Sequence, residues 1–135
     1  MTPIRPAVSD SEREVLHVLW DLGSQTVRGV QDGLAARQVV WQRSTVITLL
    51  QRLEKKGYVT SDQSRHAFIF SATVTRDELV HQRIREVADE FCEGAATPLV
   101  LAFAQNQKLS VKELDQLRQL IDELAARHEK DKRKK

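Results

Sequence analysis

Cysteine is almost missing from this chain of 135 residues, since Cys92 is its only example. A disulfide framework needs paired cysteines and a thiolate metal cluster needs several, so both are excluded. Cys92 is interpreted as a small residue in a helix rather than as a redox sensor. Aromatic residues make up only 5% of the sequence, and Trp20 and Trp41 are interpreted as packing residues rather than as a ligand box.

Long apolar runs are missing as well. No stretch approaches the roughly 20 residues that a membrane-spanning helix requires. The N-terminus lacks the apolar run of a signal peptide. We therefore expect a cytoplasmic protein with no membrane insertion.

Charge of one sign barely predominates, because 21 basic residues face 19 acidic ones and the net charge is +2. Such a balance does not by itself argue for a nucleic-acid partner, so the distribution of charge must decide. The four histidines show no metal-ligand spacing, and no glycine-rich phosphate loop appears. We expect no enzymatic activity, no metal and no cofactor.

Helix signals are abundant in the first half of the chain. A capping box from Ser9 to Glu12 begins a first helix that ends at Gly23. Thr26 is the predicted N-cap of a second helix. A third helix is predicted from Ser44 to Lys56, followed by Gly57 as a left-handed C-cap. Two glycines in the second helix are interpreted as positions of close packing: Gly29 and Gly33.

Two short stretches rich in β-branched and aromatic residues follow, "YVTSD" and "AFIFSA". The polar residues "QSRH" separate them, which predicts a hairpin from about Tyr58 to Ala72. Three helices and then a hairpin is the element order of a winged helix-turn-helix. The predicted fold class is therefore mostly α with a small β-hairpin wing, in a DNA-binding domain over residues 1–73.

The second half is predicted to be a helical dimerisation domain over residues 74–135. Thr75 to Glu78 is a capping box that opens a helix to about Glu93. Thr97 is the predicted N-cap of a short apolar helix, "PLVLAFAQN". Ser110 to Glu113 is a further capping box, and its helix is expected to end near Glu129. The charged tail "KDKRKK" is interpreted as solvated and frayed.

The third predicted helix has two chemically different sides. At 100° per residue, four of its five aliphatic residues fall in one arc of about 100°: Val46, Leu49, Leu50 and Leu53. Ile47 lies outside this arc and is interpreted either as a contact for a thymine methyl group or as a residue that borders the core. The hydroxyl and cationic residues gather on another side, away from Glu54: Thr45, Thr48, Arg52, Lys55 and Lys56. Residues 37–65 contain six bases and two acids, an excess of +4. A third helix of this kind is where a helix-turn-helix protein reads the major groove of DNA.

Seven residues are predicted to bind double-stranded DNA: Arg43, Ser44, Thr45, Thr48, Arg52, Lys55 and Arg65. Ser44 and Thr45 would hold a phosphate at the helix N-terminus. Thr48 would reach a base edge or a thymine methyl group. Arg52 and Lys55 would bind backbone phosphates or a base, and Arg65 at the hairpin tip would contact adjacent backbone or minor groove.

An apolar seam with 3-4-3 spacing lies on the last predicted helix, the pattern of a coiled coil. The predicted dimer contacts are the residues of this seam and two residues of the helix that begins at the Thr75–Glu78 capping box: Leu114, Leu117, Ile121, Leu124, Val80 and Ile84. With Val87 and Phe91, Val80 and Ile84 form the predicted inward face of their own helix. A two-fold homodimer would present two DNA-binding domains to a pseudo-palindromic operator. Packing of the seam within one chain is the alternative.

Three stretches resemble the penicillinase-repressor (BlaI/MecI) family: "SDSEREVLHVLW", "STVITLLQRLEKKGYV" and "PLVLAFAQN". The similarity extends from about Ala7 to Leu124. It implies a homodimeric winged-helix repressor whose partner is a membrane-bound sensor metalloprotease. In the studied members of the family, that protease triggers cleavage of the repressor at an Asn-Phe bond, which corresponds here to Ala102-Phe103, without the asparagine. A core helix of the dimer is the alternative interpretation of this stretch.

Two other functions are compatible with the sequence. A winged-helix regulator controlled by a small-molecule ligand is one, and a winged-helix module that binds protein is another. A branch of the family that senses copper uses paired cysteines near the C-terminus, and the tail "LAARHEKDKRKK" contains none. The sequence leaves the operator, the regulated genes and the inducing signal undefined.

Overall fold

The structure is a computed structural model that describes residues 5–64 and 66–133. The described helices and strands follow the order α1 Asp10–Leu22, α2 Val27–Ala36, α3 Arg43–Lys56, β1 Val59–Asp62, β2 Ile69–Ala72, α4 Arg76–Phe91, α5 Ala96–Gln105 and α6 Val111–Arg133. The predicted fold class is confirmed, with three helices and a hairpin followed by three further helices. Two compact units are present, one up to Arg83 and the other from Ile84.

The predicted caps of the first two helices are confirmed. The Ser9 amide donates to Glu12 Oε1 at 2.8 Å and the Glu12 amide donates to Ser9 Oγ at 3.2 Å, which completes the capping box. Thr26 Oγ1 accepts from the Gly29 amide at 3.1 Å. Gly57 ends α3 with a φ of 89°, the left-handed conformation that glycine adopts without strain.

The hairpin is antiparallel, with Val59 opposite Ala72 and Asp62 opposite Ile69. Gln25, between α1 and α2, exchanges two backbone hydrogen bonds with Phe70 at 3.0 and 2.8 Å. This bridge connects the hairpin to the helical part of the first unit. The hairpin is the wing of a winged helix.

One apolar core holds the first unit together, because α1, α2, α3 and the hairpin each contribute buried side chains. The inner side of α3 consists of the four predicted aliphatic residues, all 4% exposed or less: Val46, Leu49, Leu50 and Leu53. Full burial of such a side chain contributes about 1.5–3 kcal/mol. Trp20 and Trp41 pack at the edge of this core, as predicted.

Close packing of α1 against α2 requires a glycine at position 33. A Cβ atom there would lie 2.6 Å from Val18 Cγ1 and 3.0 Å from Leu22 Cδ1. Val18 is 1% exposed and belongs to the apolar core, and its short branched side chain cannot bend away as a long flexible one would. The close-packing interpretation therefore holds for Gly33. At Gly29 the nearest atoms that a Cβ would meet all belong to the flexible Gln25 side chain, whose amide end can move away, so the close-packing interpretation is weaker there.

We expect Gly33→Ala to lower the free energy of unfolding by about 1–2 kcal/mol, since overpacking outweighs the gain in helix propensity. Gly29→Ala is the matched control in the same helix and should leave stability unchanged or raise it by up to about 1 kcal/mol. Urea unfolding followed by circular dichroism measures both. Equal stability of the two variants would contradict the packing argument.

The first unit reaches beyond residue 73, where the sequence placed its end. Trp20 Nε1 donates to the Val74 carbonyl at 2.8 Å, and Arg76 pairs with Asp21 at 2.8 Å. Leu79 belongs to the apolar core. The start of α4 is thus part of the winged-helix unit, because Arg76 pairs with Asp21 of α1 and Leu79 belongs to the core of that unit.

The second unit corrects two predictions, the N-cap of α5 and the end of α6. Thr97 does not cap α5, because Ala95 is its N-cap and Thr97 and Pro98 lie in the first turn. Proline is tolerated there because the first amides of a helix have no partner within it. The Ser110–Glu113 box forms, but α6 continues to Arg133 instead of fraying after Glu129. Cations in its last turn favour this extension through the helix dipole.

The apolar residues of α4 also differ from their predicted placement. Val80, Ile84, Val87 and Phe91 were expected to face inward, yet they are 50%, 44%, 38% and 74% exposed, whereas Leu79 and Ala88 are buried. Periodicity identifies an apolar face of a helix but does not say what covers it. Each of the four side chains remains on a surface of the single chain.

Candidate nucleic-acid interface

Six of the seven predicted DNA-binding residues lie on the exposed side of α3: Arg43, Ser44, Thr45, Thr48, Arg52 and Lys55. We call this set the cationic ridge. Its position follows from the four buried aliphatic residues, which fix the rotation of α3 about its axis. Arg65, the seventh residue, lies outside the described residues, and its role stays a prediction.

The cations of the ridge are not neutralised by the protein. Among the described residues, Arg43, Arg52 and Lys55 form no ion pair. Glu54, in the same helix, instead accepts a hydrogen bond from Ser61 Oγ of β1 at 3.0 Å. Its carboxylate is therefore directed toward the wing, and the ridge presents three positive charges without a negative one.

The N-terminus of α3 lacks a side-chain cap. Gln42 occupies the N-cap position, and its side chain makes no capping hydrogen bond. The amides of the first helical turn have no partner within the helix, and together with the helix dipole they favour an anion. Ser44 and Thr45 add exposed hydroxyl groups at the same place. Phosphate oxygens suit this combination.

Thr48 is oriented by its own helix. Its Oγ1 donates to the Ser44 carbonyl at 3.0 Å, so the hydroxyl proton is engaged while the oxygen can still accept. The residue is exposed, one turn beyond the helix N-terminus. Ile47, its neighbour in sequence, is half-buried and packs against the core, so it borders the core instead of extending the ridge.

Lys56 does not belong to the cationic side on which helical spacing placed it. Its Nζ donates to Glu12 Oε1 at 2.6 Å and to the Ala7 carbonyl at 2.9 Å. Arg37, also counted in the local excess of positive charge, pairs with Glu14 at 3.3 Å and with Asp21 at 3.6 Å. The charge that is free to attract an anion is therefore smaller than the count over residues 37–65, and it is concentrated on the ridge.

Glu12 is a feature that sequence reasoning missed. Burial raises the pKa of this carboxyl, but hydrogen bonds from Lys56 and Ser9, with the Lys56 charge, outweigh burial and hold the pKa below its usual value. The signal was present, because Glu12 precedes Val15, Leu16 and Leu19 by three, four and seven residues. It thus lies on the buried stripe of α1, where a carboxylate requires a partner.

The turn of the wing is organised by Asp62. Its Oδ1 accepts from the Ser64 amide at 2.8 Å, and hydrogen bonds from Ser64 lower the pKa of this carboxyl. His66, which follows the undescribed Arg65, is exposed. The described part of the tip therefore offers polar groups at the surface, beside one fixed carboxylate.

The described residues contain no group of three or more His, Cys, Asp or Glu side chains that could hold a metal ion. Within residues 5–64 and 66–133, no helix combines the length and the apolar character that crossing a membrane requires. An exposed cationic helix with an uncapped N-terminus is the feature that points to a polyanion.

Comparison with known proteins shows the family of the chain. The model of the family described as penicillinase repressor matches residues 8–123. This chain belongs to the penicillinase repressor family. The match covers α1 to most of α6, so the family resemblance seen in three short stretches is confirmed over nearly the whole chain. Because this family consists of repressors, the expectation that the chain is not an enzyme is also confirmed.

Individual penicillinase repressor relatives match at modest identity. The penicillinase repressor of Bacillus licheniformis is 28% identical over 118 residues, which cover 87% of this chain and 91% of that protein. The methicillin resistance regulatory protein MecI of Staphylococcus aureus strain N315 is 24% identical over 85% of this chain and 93% of its own length. The solution structure of the DNA-binding domain of the repressor BlaI is 27% identical, with a TM-score of 0.48, and covers 57% of this chain and 93% of that domain.

Proposed function

We propose that this member of the penicillinase repressor family is a cytoplasmic transcriptional repressor that binds a pseudo-palindromic DNA operator as a homodimer. One observation carries the proposal. The third helix of a winged helix exposes Arg43, Arg52 and Lys55 without ion-pair partners among the described residues, beside an uncapped N-terminus. Membership of a repressor family supports the same conclusion.

Five residues of the cationic ridge have separate roles in this proposal. Ser44 and Thr45 hold a phosphate through their hydroxyl groups and the free amides of the first turn. Thr48 approaches a base edge or a thymine methyl group in the major groove. Arg52 and Lys55 bind backbone phosphates or a guanine, and contacts of both kinds are common for these side chains.

The homodimer is supported by the apolar side chains that the single chain leaves uncovered. The seam residues Leu114, Leu117, Ile121 and Leu124 of α6 are 42%, 40%, 62% and 49% exposed. Val80 and Ile84 of α4 are exposed to a similar degree. Water contact at so many aliphatic side chains is unfavourable, and a second copy of the chain that covers them would gain free energy roughly in proportion to the area buried.

Release from DNA is the part of the proposal that involves a second protein. We propose that a membrane-bound sensor metalloprotease cuts the Ala102-Phe103 bond. Phe103 is 67% exposed, and Ala102 stands where the family resemblance implies asparagine. The bond lies within α5, and the Ala102 carbonyl accepts from Asn106 Nδ2 at 2.7 Å, so α5 must unwind locally before a protease can cut it.

Co-expression with the cognate sensor protease, followed by a blot for a fragment ending near Ala102, tests this release. A fragment that accumulates on induction is the expected result. An intact chain during induction would reject proteolysis and would favour a regulator that a small-molecule ligand controls.

We expect Arg52→Ala to weaken binding to an operator duplex by about 1–3 kcal/mol while the protein remains a dimer. The matched control is Arg118→Ala, which removes the same charge from an exposed position of α6 and should leave affinity nearly unchanged. A gel-shift titration measures the affinities, and sedimentation measures the oligomeric state. Equal affinity of the wild type and Arg52→Ala would reject the role of Arg52. If the wild type bound no duplex even in dilute salt, a protein-binding module would replace the proposal.

A further inference from the structure

Glu12 and Lys56 form an ion pair at the C-terminal end of α3, the helix that is proposed to contact the bases of DNA. Glu12 is 1% exposed, the one buried charged side chain among the described residues. Its Oε1 accepts from Lys56 Nζ at 2.6 Å and from the Ser9 amide at 2.8 Å. Its Oε2 is buried and has no hydrogen-bond partner in the described part of the chain. The carboxylate is therefore only half satisfied.

Lys56 connects three segments of the chain at one ammonium group. It belongs to the last turn of α3, and it binds Glu12 in the first turn of α1 and the Ala7 carbonyl in the segment before α1. Close by in sequence, the Tyr58 hydroxyl donates to the Pro6 carbonyl at 2.6 Å. The C-terminal end of α3 is thus tied to the start of the chain by directional bonds.

Stability alone does not explain such a pair. Hydrogen bonds from Lys56 and Ser9, with the Lys56 charge, outweigh the desolvation of Glu12, yet an uncharged pair of similar volume is often as stable as a buried ion pair or more so. An ion pair with one orphaned oxygen is a poor stabiliser compared with apolar packing. Its distinguishing property is direction, since the hydrophobic effect that holds the rest of α3 is non-directional.

The direction of the bond matters because a small tilt of α3 at one end displaces the residues at its other end. Ser44, near the start of the helix, lies about 18 Å along the axis from Lys56. A tilt of about 5° around the middle of the helix would shift Ser44 by about 0.8 Å. Binding sites tolerate displacements of only about 0.5 Å before their contacts weaken. A bond that fixes one end of α3 therefore controls the position of the other.

We propose that Glu12 and Lys56 are positioning residues for DNA reading, which fix the tilt of α3 on α1 and thereby place the cationic ridge against base edges. The inference rests on the proposed function. Neither residue touches DNA in this account. It follows that the pair determines discrimination between operator and other DNA, while the sequence-independent attraction to phosphates does not depend on it.

The double variant Glu12→Gln with Lys56→Met separates positioning from other roles. It leaves the net charge unchanged, retains an acceptor for the Ser9 amide and removes every buried charge from the pair. The probes are a duplex that the wild type enriches from a random-sequence pool and an unrelated duplex of equal length. The melting temperature and the salt dependence of binding are measured alongside both affinities.

We expect the double variant to melt within about 5 °C of the wild type. Its affinity for the enriched duplex should fall about 10-fold or more, the size of a mismatched base pair, with unchanged salt dependence and unchanged affinity for the unrelated duplex. Equal affinity for the enriched duplex would overturn the proposal and leave the pair a role in folding only. A lower affinity for both duplexes with a shallower salt slope would overturn it too, since Lys56 would then contact phosphate.

A second variant decides the matter if the double variant unfolds at the assay temperature. Glu12→Gln alone keeps an oxygen that can accept from Lys56 and from Ser9, and it buries no unpaired carboxylate. We expect its ratio of enriched-duplex to unrelated-duplex affinity to fall severalfold, and an unchanged ratio overturns the proposal. If the wild type enriches no duplex, the proposed function itself fails. If the wild type discriminates between the two duplexes and both variants discriminate equally well, only the positioning role is refuted.

Discussion

Replacing Leu117 and Ile121 of α6 by lysine should convert the protein to monomers and weaken its binding to an operator duplex by about 10²–10⁴-fold. Both side chains lie on the apolar seam and are 40% and 62% exposed in the single chain. In the proposed homodimer they are buried against a second copy, where two unpaired ammonium groups would be costly. A monomer binds DNA through one DNA-binding domain and loses the avidity of two linked domains. Dimerisation and DNA affinity should therefore fall together.

The control is Gln119→Lys with Ala126→Lys, which adds the same charge to the side of α6 opposite the seam. This variant should remain dimeric and bind the duplex at least as well as the wild type. Sedimentation velocity measures the oligomeric state, and gel shift measures the affinity. A seam variant that still sediments as a dimer would reject the seam as the interface, and packing within one chain would then be its explanation.

The winged helix was predictable from the sequence because its signals are local. Ser9, Thr26 and Gly57 are capping residues whose chemistry depends only on their neighbours, and each has its predicted role. The aliphatic stripe of α3 likewise needed only helical periodicity. The exposed positions of Arg52 and Lys55 follow from that stripe, since the burial of one side of a helix leaves the other side to solvent.

Features that depend on distant parts of the chain were not predictable in this way. Lys56 lies at an angle close to the cationic ridge, but a long flexible side chain can reach a buried carboxylate 44 residues away in sequence. Only the position of Glu12 on an apolar stripe hinted that a cation was needed there. The four apolar residues of α4 had a clear period, and periodicity alone could not distinguish a surface that faces a second chain from one that faces the core.

The placement of α5 shows the same limit at shorter range. A threonine before a proline is a common helix start, and the sequence favoured Thr97 for that reason. In the structure, Glu93 and Gly94 both have positive φ, at 53° and 83°, and Ala95 is the extended residue that precedes the helix. The backbone turn made by Glu93 and Gly94 thus sets the start of α5, and proline is accommodated in the first turn.

Binding of the proposed homodimer to an operator duplex should be steeply dependent on salt. Each protomer exposes three ridge cations without ion-pair partners among the described residues, so a dimer offers six to phosphates. Each phosphate contact contributes a slope of about −0.9 in the logarithm of affinity against the logarithm of salt concentration. A total slope of about −5 or steeper follows. Affinity should therefore fall by about 10³-fold between 50 and 200 mM salt.

Removal of the ridge charges tests the origin of that slope. In the triple variant Arg43→Gln, Arg52→Gln, Lys55→Gln, the slope should become shallower by about 5, and affinity in dilute salt should fall by about 10³-fold or more. The control, Lys112→Gln, Arg118→Gln, Arg127→Gln, removes the same charge from α6 and should retain most of the wild-type slope. If the two triple variants lost slope equally, binding would depend on net charge alone. The arrangement of α3 would then have no part in it. If α3 binds DNA, removal of its three charges must reduce the salt slope more than removal of three charges from α6.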